Sequence, residues 1–457
     1  METAIARQPN QGVLPPALVA GFIATIAVWI TWFITHLPWL GMPEPVASAI
    51  ILVVWVIAVA AATRSVGPRA AIRVGIAAGL VAAVFGLLVL GSKLTEVPES
   101  GTGAAGPVKP AWPILVAGFL GLGALLGLLG GFLSRLAPAS DHWTGQRPWL
   151  GRFAVVTVAA IAPLLFVGGL GTSTESGMAV PDWPRTFGAN MFLYPLGPRA
   201  DAGVYLEHAH RLFGALIGLA VLTLAIWVQV SASRGWVKVW AWAIFVFVTF
   251  QGILGGTRVT ANSDWLAFFH GVSAQLIFAA AVALAVYLRP LYQSAVNAEP
   301  DAGLRRLKAL GTAALHVTIL QLIFGAMYRH VRSSHALWSH IGFSIVVAIL
   351  VLIAGFFAVR VATALRSRHG AVVRRTGTWV LACVAVQFLL GWVVFFVGGR
   401  DAEAANLTQA LLRTLHQANG ALLLALVTLL AVVARRMWKQ TAPAKAPAAI
   451  PPAAAPA

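Results

Sequence analysis

Four histidines, His210, His270, His340 and His416, each stand where an apolar run long enough to cross a membrane begins. An ionisable ring is costly to keep in apolar surroundings, and two imidazoles facing each other across a helical bundle supply what heme iron takes as axial ligands. Two such pairs predict two heme sites. In Glu207-His208-Ala209-His210-Arg211 a carboxylate lies one helical turn before the histidine and on its face. That acid either serves chemistry beside the iron or is a solvated residue at a helix start, where the dipole favours it; the spacing favours the first. In Leu337-Trp-Ser-His340 a leucine replaces the acid, which predicts one pocket that reacts and one that holds a permanent cofactor. His416 is followed by Gln417 and Asn419, amides suited to orienting a ligand or to a polar helix start. His208 points away from His210 and reads as an outer-loop polar residue, as do His330 and His335. His316 reads as a packed core histidine, and His36, His142 and His369 have no partners. Arg211, Arg258, Arg329 and Arg332 fall at the ends of apolar runs, where a guanidinium either pairs with a heme propionate or anchors at the interface.

The elements that must position these residues follow from composition. A chain of 457 residues that is 59% hydrophobic and 10% charged is excluded from the ordinary soluble class. Twelve apolar runs begin near Pro16, Val46, Ala71, Trp112, Phe153, His210, Val237, Trp265, Leu307, Leu337, Thr378 and Leu411. They show no alternation of period two, so the expected fold is an all-α polytopic membrane protein rather than a β-barrel. The net charge of +18 gathers in alternate loops, around Arg64 to Arg73, Arg135 to Arg152, Arg234 and Lys238, Arg289 to Lys308, Arg360 to Arg375, and Arg435 to Lys439. That is the pattern of cytoplasmic loops, not of a nucleic-acid-binding domain. It places both termini in the cytoplasm, with the four histidine-bearing helices starting on the outer side of a membrane, expected to be the bacterial cytoplasmic membrane. The first run shows no cleavage site and is expected to stay as a helix. Cys383 is the single cysteine and lies mid-helix, which excludes an internal disulfide and a thiolate cluster.

Internal repetition orders the runs. Gln251-Gly-Ile-Leu-Gly255 recurs as Gln321-Leu-Ile-Phe-Gly325 and Gln387-Phe-Leu-Leu-Gly391, each followed by a loop and then a histidine. A weaker fourth copy, Gly168-Gly-Leu-Gly171, precedes His210. The expected organisation is an N-terminal four-helix extension over 1–140, a first four-helix bundle over 141–300 holding a substrate heme, a second over 301–440 holding heme b, and a disordered Ala/Pro-rich tail over 441–457. An even number of helices per unit gives the two bundles parallel topology.

With the histidines, the loop Ser176-Gly-Met-Ala-Val-Pro-Asp-Trp-Pro184 and the Glu207-x-x-His210-Arg211 sequence, the chain resembles the heme A synthase family over about residues 150 to 437. The resemblance implies an oxidoreductase that converts heme O to heme A, turning a ring methyl into a formyl group by successive hydroxylations in support of cytochrome oxidase biogenesis. It implies that His210 and His270 hold the substrate heme O, that His340 and His416 ligate heme b, and that Glu207 is the essential carboxylate. Implied partners are heme O synthase, oxidase assembly factors and an electron partner of unknown identity. The chain departs from many members, which carry a cysteine pair after the Pro-Asp-Trp-Pro stretch where this sequence reads Arg185-Thr-Phe-Gly188, and the first four helices lie outside the family core. A diheme cytochrome b that only transfers electrons is the alternative. It would need no carboxylate at one site alone and would usually set its hemes towards opposite faces. A transporter with repeated halves is disfavoured by the scarcity of charges inside the runs.

Overall fold

The computed structural model describes residues 12–96, 106–136, 149–194, 201–232, 234–293, 302–364, 368–398 and 406–441. Of the expected tail over 441–457, Thr441 is the last residue of α13 and the rest, like His142, lies outside the described residues. Among the described residues twelve helices are long and apolar enough to cross a membrane. They are α1 (Leu14–Thr35), α2 (Glu44–Thr63), α3 (Pro68–Leu90), α4 (Trp112–Leu136), α5 (Trp149–Ser173), α6 (Ala202–Ser231), α7 (Gly235–Ala261), α8 (Asp264–Tyr287), α10 (Ala302–Val331), α11 (Ser334–Ala364), α12 (Arg368–Val397) and α13 (Leu407–Thr441). A single turn, α9 (Pro290–Gln293), follows α8. The protein is an all-α polytopic membrane protein. Spanning as helices pairs each backbone N–H and C=O within its own segment, which a hydrocarbon surrounding demands.

Large apolar side chains stay exposed along α7, α11 and α12, among them Phe247, Phe356, Trp379 and Phe396. In water so much exposed apolar surface is a liability, whereas against lipid tails it is the solvated state. The buried core is centred on α6, where Leu212, Phe213, Leu216, Ile217, Val221 and Leu224 lose nearly all solvent contact. Helices α5 to α8 pack in sequence as one bundle and α10 to α13 as another, and the two meet where α13 lies on α5 and α8 and α10 lies on α8. Helices α1 to α4 pack on one another and reach the first bundle through α1 on α5.

The helices start earlier than the apolar runs. Asp201 caps α6, its side chain accepting from the amides of Gly203 (2.8 Å) and Val204 (3.2 Å). His210 therefore lies inside the helix rather than at its first turn, as do His270, His340 and His416. A polar turn exposed at a bundle end is as helical as the apolar one below it, so hydropathy marks where the run begins and the cap marks where the helix begins.

Between α5 and α6 the chain forms a folded cover. A short antiparallel pair, β1 (Arg185–Thr186) and β2 (Ala189–Asn190), turns through Phe187 and Gly188, both at positive φ (49° and 80°). The Asp182 carboxylate stabilises the turn by accepting from the amides of Phe187 (2.8 Å) and Gly188 (2.7 Å).

Candidate functional site

The four histidines form two facing pairs. His210 on α6 meets His270 on α8 with ring centroids 6.4 Å apart and planes at 71°, and His340 on α11 meets His416 on α13 at 6.2 Å and 81°. An iron held by two imidazole nitrogens, each about 2 Å from the metal and roughly 1 Å from its own ring centre, sets the centroids about 6 Å apart. Both pairs match that span. Among the described residues no cluster of three or more His, Cys, Asp or Glu could hold a metal. Two protein ligands suffice only for a metal that brings its other ligands with it, as a porphyrin iron does.

One device seats each ring. A Cβ on Gly168 would stand 2.7 Å from Cε1 of His210, and the same construction puts Gly255 2.8 Å from His270, Gly325 2.8 Å from His340 and Gly391 3.3 Å from His416. Each glycine belongs to the helix before the histidine's own, so its bare backbone leaves the room that the imidazole fills. One turn earlier stands a glutamine in three of the four copies. Gln251 and Gln321 donate from Nε2 to the carbonyls of His270 (2.6 Å) and His340 (2.8 Å). The His340 Nδ1 lies 3.1 Å from the Gln321 carbonyl, which fixes the tautomer and leaves Nε2 for a ligand. Nδ1 of His210 and His270 is buried and makes only a loose approach to the carbonyls of Leu164 and Gln251. Gln387 lies within 3.3 Å of Nδ1 of His416 and accepts from Asn419 (2.8 Å). The first copy is Leu164-x-x-x-Gly168, so Gly168, the first residue of the Gly168–Gly171 stretch, takes the place of the closing glycine and the glutamine position is filled by Leu164.

The surroundings of the two pairs differ. Glu207 is buried, with Oε1 2.6 Å from Nη2 of Arg211 and Oε2 accepting from the amide of Val180 at 2.7 Å. The reading of a solvated acid does not hold. Arg211 also donates to the carbonyls of Asp182 (2.8 Å), Arg185 (2.9 Å) and Val180 (3.0 Å), so its guanidinium binds the cover over β1 and β2 as well as the carboxylate. Trp183 lies against Gly256 of α7, and Arg258 reaches the Gly177 carbonyl at 2.9 Å. His208 is buried and turned away from His210, its Nδ1 3.2 Å from Thr186 Oγ1 and its ring 5.2 Å from that of Tyr194. It is a support for the cover and not an exposed loop residue; burial raises the pKa of Tyr194.

At the second pair, α10 and α11 are joined directly through Arg332 and Ser333, and no carboxylate stands one turn before either histidine. Those places hold Leu337 and Arg413. Arg329, on the last turn of α10, donates to the Gly169 carbonyl (2.9 Å) and Ser173 Oγ (2.7 Å) of α5, and Thr414 donates to the same Ser173 hydroxyl at 3.0 Å. These bonds cross between bundles, and because they join the end of α5 to the end of α10 and the start of α13, both pairs lie at one end of the molecule. Arg332 instead forms an exposed pair with Glu175 (3.2 Å).

Three features depart from the sequence reading or go beyond it. His330 lies on α10 rather than in a loop, with Nε2 3.0 Å from where a Cβ of Gly271 would be, next to His270. Gln417 faces Gly169 across the bundle junction with a buried, unpartnered Oε1. The seating glycines were visible as members of a repeat, but their purpose needs the fold. His316 is exposed, Nδ1 2.7 Å from the Thr312 carbonyl, and is not a core residue. His36 caps α1 within 3.0 Å of the Trp32 carbonyl, and burial lowers its pKa.

Residues 151–344 match the model of the COX15-CtaA family, described as cytochrome oxidase assembly protein. The chain is 31% identical over 217 residues to a heme A synthase of Rhodopseudomonas palustris (strain BisA53), covering 40% of this chain and 57% of that protein. It is 28% identical over 176 residues to a heme A synthase of an Exiguobacterium species, covering 38% of this chain and 55% of the relative. A third, from Halalkalibacterium halodurans, is 34% identical over 127 residues, 27% of this chain and 41% of that protein. The chain spans about half the length of the first two. The matched family segment contains Glu207, His210, His270 and His340 and begins after α4.

Proposed function

We propose, from the match of residues 151–344 to the COX15-CtaA family model, that the chain is a heme A synthase that oxidises a ring methyl of heme O to the formyl group of heme A. The observation that carries the reading is the placing of one buried carboxylate, Glu207, one turn before His210, with leucine and arginine at the corresponding places before His340 and His416. A site that only passes electrons has no use for that difference.

In this reading His210 and His270 hold the substrate, heme O, and His340 and His416 hold heme b, which supplies reversible one-electron chemistry when bound. Arg258 and Arg329 each engage the protein through Nη2 and would offer their remaining donors to porphyrin carboxylates, whereas Arg211 spends its donors on Glu207 and the cover. Glu207 is held in place by Arg211 and the Val180 amide. A carboxylate has roughly four lone-pair sites, so with two in use it still accepts a hydrogen bond from a water directed at the methyl carbon, takes up a proton, or stabilises positive charge that develops as electrons pass from the methyl group to the external electron acceptor that the oxidation requires. The cover formed by residues 176–194 lies at this site through Glu207, Arg211 and Trp183 and would screen it from bulk water during the reaction. In this reading both sites face the outer side and both termini lie in the cytoplasm, which the positive-inside pattern favours.

The decisive experiment is to purify the protein from cells that also make heme O, extract its hemes, and identify them by chromatography and mass spectrometry. Heme A or its hydroxylated precursor beside heme B is the expected result. Heme B alone would overturn the reading and turn it towards a diheme electron carrier.

A further inference from the structure

Helices α1 to α4 have no part in the reading above, yet they touch the cover of the first histidine pair. Phe22 of α1 meets Phe153 of α5 edge-on at 4.9 Å, Trp29 meets Phe213 of α6 at 5.6 Å, and the Tyr205 hydroxyl donates to the Phe33 carbonyl at 2.8 Å. That carbonyl lies in the last turn of α1, where acceptors have no partner within the helix, and Tyr205 stands two residues before Glu207. After α3, the turn Gly91–Leu94 runs into a bridge between Thr95 and Val108, closed by the Glu96 amide on the Pro107 carbonyl (2.9 Å) and the Lys109 amide on the Leu94 carbonyl (2.8 Å). The turn sits against the cover: a Cβ on Gly91 would land on the Phe192 carbonyl oxygen, and buried Thr95 shares its hydroxyl between the carbonyls of Ser92 (3.0 Å) and Leu193 (3.3 Å). Behind the turn, α3 and α4 approach backbone to backbone, a Cβ on Gly79 falling 2.9 Å from Cα of Gly127 and one on Gly75 2.9 Å from Cα of Gly131. Such small-residue packing makes a rigid post in a membrane.

We propose that the N-terminal four-helix region is a positioning element for the substrate site, its turn Gly91–Thr95 seating Phe192 and Leu193 so that the cover stays closed over the porphyrin between His210 and His270. This rests on the reading of that pair as the substrate site. Arg211 and Glu207 grip the cover at Val180, Asp182 and Arg185, and Trp183 grips it at α7. Phe192 and Leu193 lie on the far side of β2, beyond these grips, and there the cover meets the extension. Gly91 is required at the contact because any side chain would push the cover away. Thr95 adds a hydroxyl that reaches across.

The test uses the full-length protein with Gly91→Val, Thr95→Val and Thr95→Ser. Three quantities are read: deuterium uptake of the amides over 186–194, heme content, and the heme O dependence of heme A formation. Gly91→Val is expected to speed exchange over 186–194 by about ten-fold as the closed form is lost. It should raise the heme O concentration needed for half-maximal rate while leaving the maximal rate and the heme B of the second pair unchanged. Thr95→Val is expected to speed exchange by about three-fold, the worth of a weak shared hydrogen bond, and Thr95→Ser to match the unmodified chain. Unchanged exchange in both valine variants overturns the proposal, as does a serine variant that behaves like the valine one. If Gly91→Val loosens α3 and α4 themselves, the Thr95 pair of variants decides. Raised exchange in a protein that holds only heme B sinks the synthase reading and leaves the positioning role standing.

Discussion

Behind His210 and behind His340 stands the same device, a glycine of the preceding helix that leaves the imidazole its place, and the partners His270 and His416 are seated in the same way. Away from the rings the two sites part. The first carries Glu207 paired with Arg211, and above it a cover of some length pinned by both residues. The second carries Leu337 and Arg413 at those places, and α11 follows α10 after only two residues. On the proposed function, duplicated ligand geometry with unequal surroundings means that the glycine and histidine set is what binding a porphyrin requires, and the carboxylate and the cover are what doing something to it requires.

The largest effect expected is at Glu207. Glu207→Gln keeps an oxygen for the Val180 amide but removes the charge, and heme A formation should fall by about 100-fold or more, the range of acid–base contributions, with both hemes retained. Glu207→Ala should do the same and also loosen the cover, since a buried guanidinium left without its carboxylate costs about 3–5 kcal/mol. Heme A production by either variant would remove Glu207 from the chemistry and with it the contrast between the sites. His340→Ala tests the other side. The resident heme B should be lost while His210 and His270 still bind heme O, and an unchanged reduced-heme spectrum would refute that ligand assignment.

The seating glycines should behave alike at both sites. In Gly255→Val and Gly325→Val the new side chain enters the space of His270 or His340, and overpacking of this kind costs about 1–3 kcal/mol. Each variant should weaken heme binding at its own pair, seen in the heme to protein ratio, and leave the other pair intact. Loss of both hemes from either variant would mean that the bundles are not independent in this respect.

Much of this was legible in the sequence, for a physical reason. Lipid contact forces continuous apolar runs, so all twelve spans could be read from hydropathy, while the repetition among them was read from the recurring Gln-x-x-x-Gly segments. A histidine at the edge of such a run is costly enough to stand out. What was not legible depended on which surfaces meet. Glu207 could have been a solvated acid, and only the approach of Val180 and Arg211 makes it a buried one. His330 looked like a loop residue because Arg329 and Arg332 flank it, yet α10 continues to Val331 and carries it to the bundle junction. His208 and Thr186 are 22 residues apart, and no local pattern announces that they touch. The extension offered no motif at all, since its contacts with the cover are made by a glycine and one threonine hydroxyl against backbone carbonyls of the cover.

The smallest effect expected concerns the glutamines, where the first pair again differs from the second. Gln321 holds the His340 carbonyl at 2.8 Å, and the same turn presents the Gln321 carbonyl to Nδ1 at 3.1 Å. At His210 the corresponding residue is Leu164, which offers a carbonyl but no side-chain donor. A resident heme gains from a ligand held at both ends, whereas a substrate that must leave as product gains less. Gln321→Leu would copy the first site into the second. The lost hydrogen bond is worth about 0.5–1.5 kcal/mol, so heme B should dissociate about 2- to 12-fold more readily by the same figure, read as faster transfer to an apo-globin acceptor. No change in that rate would mean that the backbone carbonyl alone orients His340, and the glutamine repeat would then serve helix packing rather than the heme.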